Sequence, residues 1–124
     1  MAETQKLLDA IKNGMTEKKA KNIVKMDFAN TLNSITDYFM ICEVETDKQA
    51  VTVADSVERI VRNETGEKVF HKEGYENAEW IILDYFDVMV HVFRSEFRES
   101  YQLEDLWADA EITNIEVKYS SIEN

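Results

Sequence analysis

Apolar residues in the first third of the chain recur at two different spacings. Between residues 3 and 13 they return every three or four positions, which predicts an amphipathic helix that ends at Gly14. Thr16 can cap a second, short helix that reaches Ala20. Residues 22–28 instead alternate between apolar and polar side chains, so we expect a half-buried strand there.

Residues 38–42 form an unbroken apolar run, which is typical of a central strand covered on both faces. Thr46 and Gln49 then have the spacing of a capping box, and they begin a helix that Gly66 ends. The apolar stripe of this helix consists of Ala50, Val53, Ala54, Val57, Ile60 and Val61. Residues 68–71 are a candidate for a short strand.

Two aromatic and β-branched runs, residues 80–85 and 88–93, predict a β-hairpin around the turn-length pair Phe86-Asp87. His91 falls on the same face of the second strand as Met89 and Phe93, and the valines take the other face. A hydrogen-bonded structural histidine is the preferred interpretation of His91, because no nucleophile motif accompanies it. A ligand or a catalytic base is the alternative.

The last part of the chain predicts a closing helix capped by Ser95. Its apolar positions are Phe97 and Tyr101, followed by a further turn with Leu103, Leu106 and Trp107. The final segment can add an edge strand through Ile115, Val117 and Tyr119, or it can be an exposed terminus.

The order of elements predicts an α/β fold: a single domain with a mixed β-sheet flanked by helices. The chain contains no proline, and it has no internal repeat or low-complexity linker. We therefore expect one domain over residues 1–110 and a C-terminal tail over residues 111–124.

The charge of the chain restricts its partners. Its 25 acidic and 14 basic side chains give a formal net charge of −11, which repels phosphate backbones and anionic membranes. A basic protein partner fits this balance better than nucleic acid does, and solubility alone is the competing explanation. Cys42 is the single cysteine, so an intramolecular disulfide is excluded. Without a membrane-spanning run or a secretory signal, the sequence predicts a cytoplasmic protein.

Residues with catalytic potential are few. Asp84 and Asp87 flank the hairpin turn, where two carboxylates can bind a divalent cation or divide acid and base roles. Aspartate is also common at turns for its own backbone hydrogen bonds, so we prefer a structural or recognition role. The three glycines are too far apart for a phosphate-binding loop, and the pattern predicts no metal and no cofactor. Aromatic residues mixed with acids near the hairpin suit either a core or a protein interface.

Four segments carry a family resemblance: KAKNIV (residues 19–24), ITDYFMIC (35–42), WIILDYFDVMVHVF (80–93) and YQLEDLW (101–107). In this order they resemble the ribosomal silencing factor family, also called Iojap-like proteins. The resemblance implies a nucleotidyltransferase-like α/β fold without transferase activity. It also implies a homodimer when the protein is free.

The same resemblance implies a mechanism of steric exclusion. Members of the family bind ribosomal protein fourteen of the large subunit and block association with the small subunit. This lowers translation under nutrient limitation, and a role in large-subunit biogenesis is implied as well. On this basis the expected partner-binding residues lie on the hairpin and the closing helices: Asp84, Tyr85, Asp87, His91, Arg94, Glu96, Tyr101 and Trp107.

The chain departs from the family pattern in two places. Phe86 stands where the family commonly has glycine, and a phenylalanine disfavours positive φ. Residues 43–47 replace a loop of small residues. Two alternatives to ribosome binding remain open: a divergent metal-dependent nucleotidyltransferase that uses Asp84 or Asp87, and an acidic dimerisation or scaffold module with another basic partner.

Overall fold

A computed structural model describes residues 2–28, 36–102, 110–117 and 119 of the chain. Nine helices and strands lie within these residues. They are α1 (Ala2–Glu17), β1 (Lys21–Asp27), β2 (Tyr38–Val44), α2 (Asp47–Thr65), β3 (His71–Glu73), β4 (Trp80–Asp84), β5 (Val88–Arg94), α3 (Ser95–Tyr101) and β6 (Glu111–Ile115). The predicted α/β class with one mixed sheet is confirmed.

The six strands lie in the order β3-β4-β5-β2-β1-β6. Only β2 and β5 pair in parallel, and the other four pairings are antiparallel. The apolar run at residues 38–42 lies in β2, near the middle of the sheet, as its continuous hydrophobicity predicts. The hairpin of β4 and β5 is confirmed, and β6 is an edge strand against β1.

Both faces of the sheet carry a cluster of buried side chains, and the two clusters differ in kind. Helices α1 and α2 pack on each other and on one face, where the buried residues are mainly aliphatic. On the opposite face, aromatic rings pack around Ile41: Phe28, Phe39, Trp80 and Phe93. The expected division of β5 is therefore correct, with the valines toward the helices and His91 with Phe93 on the aromatic side.

The capping box at the start of α2 is confirmed with one difference. The backbone N–H of Gln49 donates to Thr46 Oγ1 at 3.1 Å, so Thr46 is the N-cap. The Gln49 side chain accepts from the N–H of Glu45 at 3.0 Å, one residue before the N-cap. Gly66 ends the helix with a φ of 79°, as the sequence predicts.

The expected helix stop at Gly14 is wrong. Gly14 lies inside α1, where a Cβ atom would stand 2.6 Å from Val57 Cα. Glycine is used here for the close approach of two helices, and Ser56 Oγ donates to the Gly14 carbonyl at 2.8 Å. The predicted second helix is also absent, because Thr16 continues α1 and its hydroxyl donates to Asn13 O at 3.2 Å.

Two other element predictions need correction. The short strand begins at His71 rather than at residue 68, because its pairing with β4 starts opposite Asp84. Ser95 does not cap α3: Arg94 is the N-cap, and the Ser95 hydroxyl lies 2.8 Å from Glu43 Oε2 on β2. The further helical turn predicted at Leu103, Leu106 and Trp107 lies outside the described residues.

Candidate functional site

The turn between β4 and β5 places two carboxylates at one end of the sheet. The N–H of Asp87 donates to the carbonyl of Tyr85 at 2.9 Å, and the φ of Phe86 between them is 70°. These are the features of a γ-turn with a positive central φ, which is rare and strained for a residue other than glycine. The doubt that Phe86 raises about the turn is resolved, because phenylalanine adopts a positive φ there.

Four hydrogen bonds hold this turn. Asp84 Oδ1 accepts the N–H of Phe86 at 2.8 Å, so this carboxylate supports the backbone as well as carrying charge. The Thr36 hydroxyl donates to the carbonyl of Phe86 at 2.9 Å. The carbonyl of Asp87 accepts the N–H groups of Asp37 and Tyr38, each at 3.0 Å. The tip is therefore fixed to β2 rather than projecting as a loose loop.

The tip presents a mixed apolar and acidic surface. Phe86 is 60% exposed and Phe70 is 64% exposed, and their ring centroids lie 4.1 Å apart. Asp87 is exposed beside them. Desolvation and the nearby carboxylates of Asp87 and Glu3 raise the pKa of Glu67. Glu67 therefore has two acidic neighbours, which come from the β4–β5 turn and from the start of α1.

Two of the expected contact residues are buried behind the surface. Tyr85 is 3% exposed and its hydroxyl has no hydrogen-bond partner among the described residues; burial raises its pKa. His91 is 2% exposed, and its Nδ1 accepts the indole N–H of Trp80 at 2.9 Å. Burial lowers the pKa of His91 to about 3, so the ring is neutral at physiological pH. Because both side chains are buried, they can support the residues of the surface but cannot contact a partner directly.

The remaining expected residues lie elsewhere. Arg94 is the last residue of β5 and pairs with Glu96 at 3.6 Å. At about 3.3 Å per residue, this end of β5 lies about 20 Å from the tip. Tyr101 is 40% exposed and packs on Trp80 with ring centroids 4.6 Å apart. Trp107 lies outside the described residues. The structure thus brings together Asp84 and Asp87 but separates them from the group at the start of α3.

Phe70 and Phe86 are not among the residues that the sequence predicts for the site. Phe86 belongs to an aromatic and acidic segment that suits either a core or a protein interface, and it conflicts with the expected turn conformation. Phe70 lies in a candidate strand, where its ring would be expected to pack. The available signals were therefore the mixed segment and the bulky residue in the turn.

The described residues contain no group of three or more histidine, cysteine, aspartate or glutamate side chains placed to hold a metal ion. None of the described helices is both long enough and apolar enough to cross a membrane. The tip of the β4–β5 hairpin is a rigid surface with acidic and aromatic groups. Such a surface can bind a partner through charge attraction and aromatic stacking.

Comparison with known proteins places this α/β domain among regulators of the ribosome. The profile of the family described as "Ribosomal silencing factor during starvation" matches residues 1–124. The chain belongs to this family.

Several relatives share most of their length with the chain. The ribosomal silencing factor RsfS of Halalkalibacterium halodurans is 36% identical over 112 residues, which cover 90% of this chain and 94% of that protein. The protein of the same name from Bacillus subtilis is 35% identical over 100 residues, covering 81% of this chain and 83% of the relative.

Two crystal structures have the same fold. A Bacillus halodurans protein superposes with a TM-score of 0.75 at 34% identity, covering 91% of this chain and 99% of that one. A Chromobacterium violaceum protein gives a TM-score of 0.77 at 25% identity, covering 97% and 98% of the two chains. The mixed sheet with its helices is therefore a shared architecture.

Proposed function

We propose that this protein represses translation by binding the large ribosomal subunit and blocking its association with the small subunit. Membership of the ribosomal silencing factor family supports the general role. The proposed contact is ribosomal protein fourteen of the large subunit, as the resemblance implies. No bond is made or broken in this mechanism, so its strength depends on affinity for one surface patch.

The observation that carries the proposal is the acidic tip of the β4–β5 hairpin. Asp84 and Asp87 stand at a turn that hydrogen bonds hold in place, on a chain with a net charge of −11. Opposite charge on a basic ribosomal protein would raise the association rate and fix the orientation of the complex. A rigid tip also loses little conformational entropy on binding.

The decisive experiment combines subunit joining with a charge reversal. Purified protein in excess should prevent separated subunits from forming complete ribosomes on a sucrose gradient. Asp87→Lys should weaken co-sedimentation with large subunits about tenfold, because it places a cation in the acidic patch. Asp84→Asn is the matching change at Asp84, because the amide keeps an acceptor for the N–H of Phe86.

Glu76→Lys is the control, since it makes the same charge change in the exposed turn beyond β3, at the opposite end of β4. Unchanged binding of folded Asp87→Lys and Asp84→Asn would remove the tip from the proposal. Normal joining of subunits saturated with the protein would reject the function itself. Stabilisation by nucleotide and metal would instead favour the nucleotidyltransferase alternative.

Three further features belong to the same proposal and rest on the family resemblance. The free protein is a homodimer, it acts in the cytoplasm, and it contributes to large-subunit biogenesis. Arg94, Glu96 and Tyr101, which lie away from the tip, would then contribute to a second contact or to the dimer. Equilibrium sedimentation of the free protein tests the dimer directly.

A further inference from the structure

The exposed aromatic pair at the tip is not explained by charge complementarity alone. Phe70 and Phe86 are two of the four large hydrophobic residues that are exposed within the described part of the chain. Their rings are tilted by 38° with centroids 4.1 Å apart, and both residues remain more than half exposed. Adjacent exposed aromatic rings are typical of an interaction surface, whereas single exposed apolar residues are common everywhere.

The backbone of Phe86 adds a second, independent observation. A φ of 70° is unfavourable for a side chain with a Cβ atom, and glycine would adopt it freely. The chain nevertheless places a phenyl ring there, and the contacts with Asp84 and Thr36 hold it in that conformation. Neither strain nor exposure stabilises the free protein, so the ring is better explained by a bound state.

The acidic groups around the pair define what it can bind. Asp87 follows Phe86 directly, and the carbonyl of Asp84 accepts the N–H of Phe70 at 2.8 Å. Glu67, in the loop after α2, has the carboxylates of Asp87 and Glu3 as electrostatic neighbours, and both raise its pKa. Aromatic faces beside carboxylates attract a cation that is also flat and weakly hydrated.

We propose that Phe70, Phe86 and Asp87 form a receptor for an arginine side chain of a basic protein partner. The guanidinium plane stacks on an exposed phenyl face, and its N–H groups donate to the carboxylate of Asp87. Lysine fits less well, because its ammonium is a strongly hydrated point charge that cannot stack. This inference rests on the proposed function and names the chemistry of the partner at that site.

Replacement of Phe86 separates this role from folding. Phe86→Gly removes the ring and also relieves the backbone strain, so its melting temperature should equal or exceed that of the unchanged protein. Its Kd for purified large subunits should nevertheless rise at least tenfold. Phe86→Tyr keeps an aromatic face and should bind nearly as well as phenylalanine, whereas Phe86→Leu keeps only apolar area and should bind almost as weakly as glycine.

Ile112→Ala is the control, because it removes another exposed apolar side chain, 43% exposed, from the edge strand β6. Its binding should be unchanged. Phe70→Ala should weaken binding in the same way as Phe86→Gly, because it removes the other half of the aromatic pair.

The possible outcomes separate the inference from the proposed function. Normal binding by Phe86→Gly together with weak binding by Asp87→Lys would overturn the arginine receptor and leave the acidic tip standing. Full retention of binding by Phe86→Leu would overturn the stacking role. Loss of self-association in Phe86→Gly, with ribosome binding intact, would assign the rings to a contact between two copies and likewise overturn the inference. If saturating unchanged protein neither bound large subunits nor blocked joining, the proposed function would fall first.

Discussion

The two faces of the sheet differ in how completely they are buried and in the interactions on which they depend. The face under α1 and α2 is filled mainly by aliphatic side chains, and it relies on a helix contact so close that Gly14 has no room for a Cβ atom. The opposite face is aromatic, with Phe39 and Phe93 on either side of His91. The first face depends mainly on close packing, whereas on the second face a buried polar side chain, His91, is part of the packed cluster.

The polar contacts of the molecule also differ between the two sides of the sheet. Beside the aromatic face, α3 is joined to the strands by polar contacts. Arg98 and Ser95 both reach Glu43 on β2. On the helix-covered face, Ser56 links the two helices by lying 2.8 Å from both the Gly14 carbonyl and Glu17 Oε2. We therefore expect substitutions on the two sides to differ in their dependence on volume, charge and pH.

The largest effect is expected at Arg98, which ties α3 to two strands. Its Nη1 donates to Asn22 O at 2.7 Å and to Glu43 Oε1 at 3.1 Å, and the Arg98 and Glu43 side chains are only 11% and 16% exposed. Arg98→Met leaves the Glu43 carboxylate without its cation, so it should destabilise the fold by about 3 kcal/mol. Urea unfolding followed by circular dichroism measures this change.

The double variant Arg98→Met with Glu43→Gln tests whether the loss comes from an uncompensated charge. The second change should restore part of the stability, because it neutralises the carboxylate that the first one left unpaired. A loss below about 1 kcal/mol for Arg98→Met alone would show that water replaces the arginine at small cost.

A smaller effect is expected at the helix contact. Gly14→Ala should destabilise the protein by about 2 kcal/mol, because the new Cβ meets backbone and the helices must separate. In an exposed helix the same change would stabilise by about 1 kcal/mol, so the sign itself is informative. Thermal and urea unfolding measure it.

Gly66→Ala provides the matched comparison for Gly14→Ala. Its Cβ would meet nothing within 4 Å, and only the φ of 79° opposes it. The expected loss is about 1 kcal/mol, from backbone strain alone. An increase in stability for Gly14→Ala would contradict the close packing of α1 on α2.

Much of the fold could be predicted because its signals are local. Thr46 and Gly66 are a cap and a stop that act within a few residues, and the alternation in β5 assigned His91 to the correct face. The role of Gly14 could not be predicted from local sequence. A glycine can end a helix or allow two helices to approach closely, and the neighbouring residues look the same in both cases. Only the position of Val57 on the neighbouring helix decides between the two.

The candidate site was less predictable for a similar reason. The acidic turn with Asp84 and Asp87 follows from the sequence, but the stacking of Phe70 on Phe86 depends on the pairing of β3 with β4. Tyr85 and His91 are expected both as packed residues and as contact residues, and only the packing of the sheet shows that they are buried. Sequence pattern gives the side of a strand to which a residue belongs, and tertiary packing decides whether that side meets water.

The smallest effect is a pH dependence near neutral pH that comes from the aromatic face. Buried His91 stays neutral in the folded protein because its pKa is about 3, whereas an unfolded histidine takes up a proton near pH 6.5. The unfolded state therefore binds more protons below that pH, and stability falls as the pH decreases. Between pH 8 and pH 6 this contribution is a loss of about 0.8 kcal/mol.

His91→Phe should lower stability at every pH, because it leaves the Trp80 indole without its acceptor, but it should remove the dependence of stability on pH between pH 8 and pH 6. Trp80→Phe should lower stability and keep the slope, and an unchanged slope in His91→Phe would show that the histidine is not held neutral by the fold.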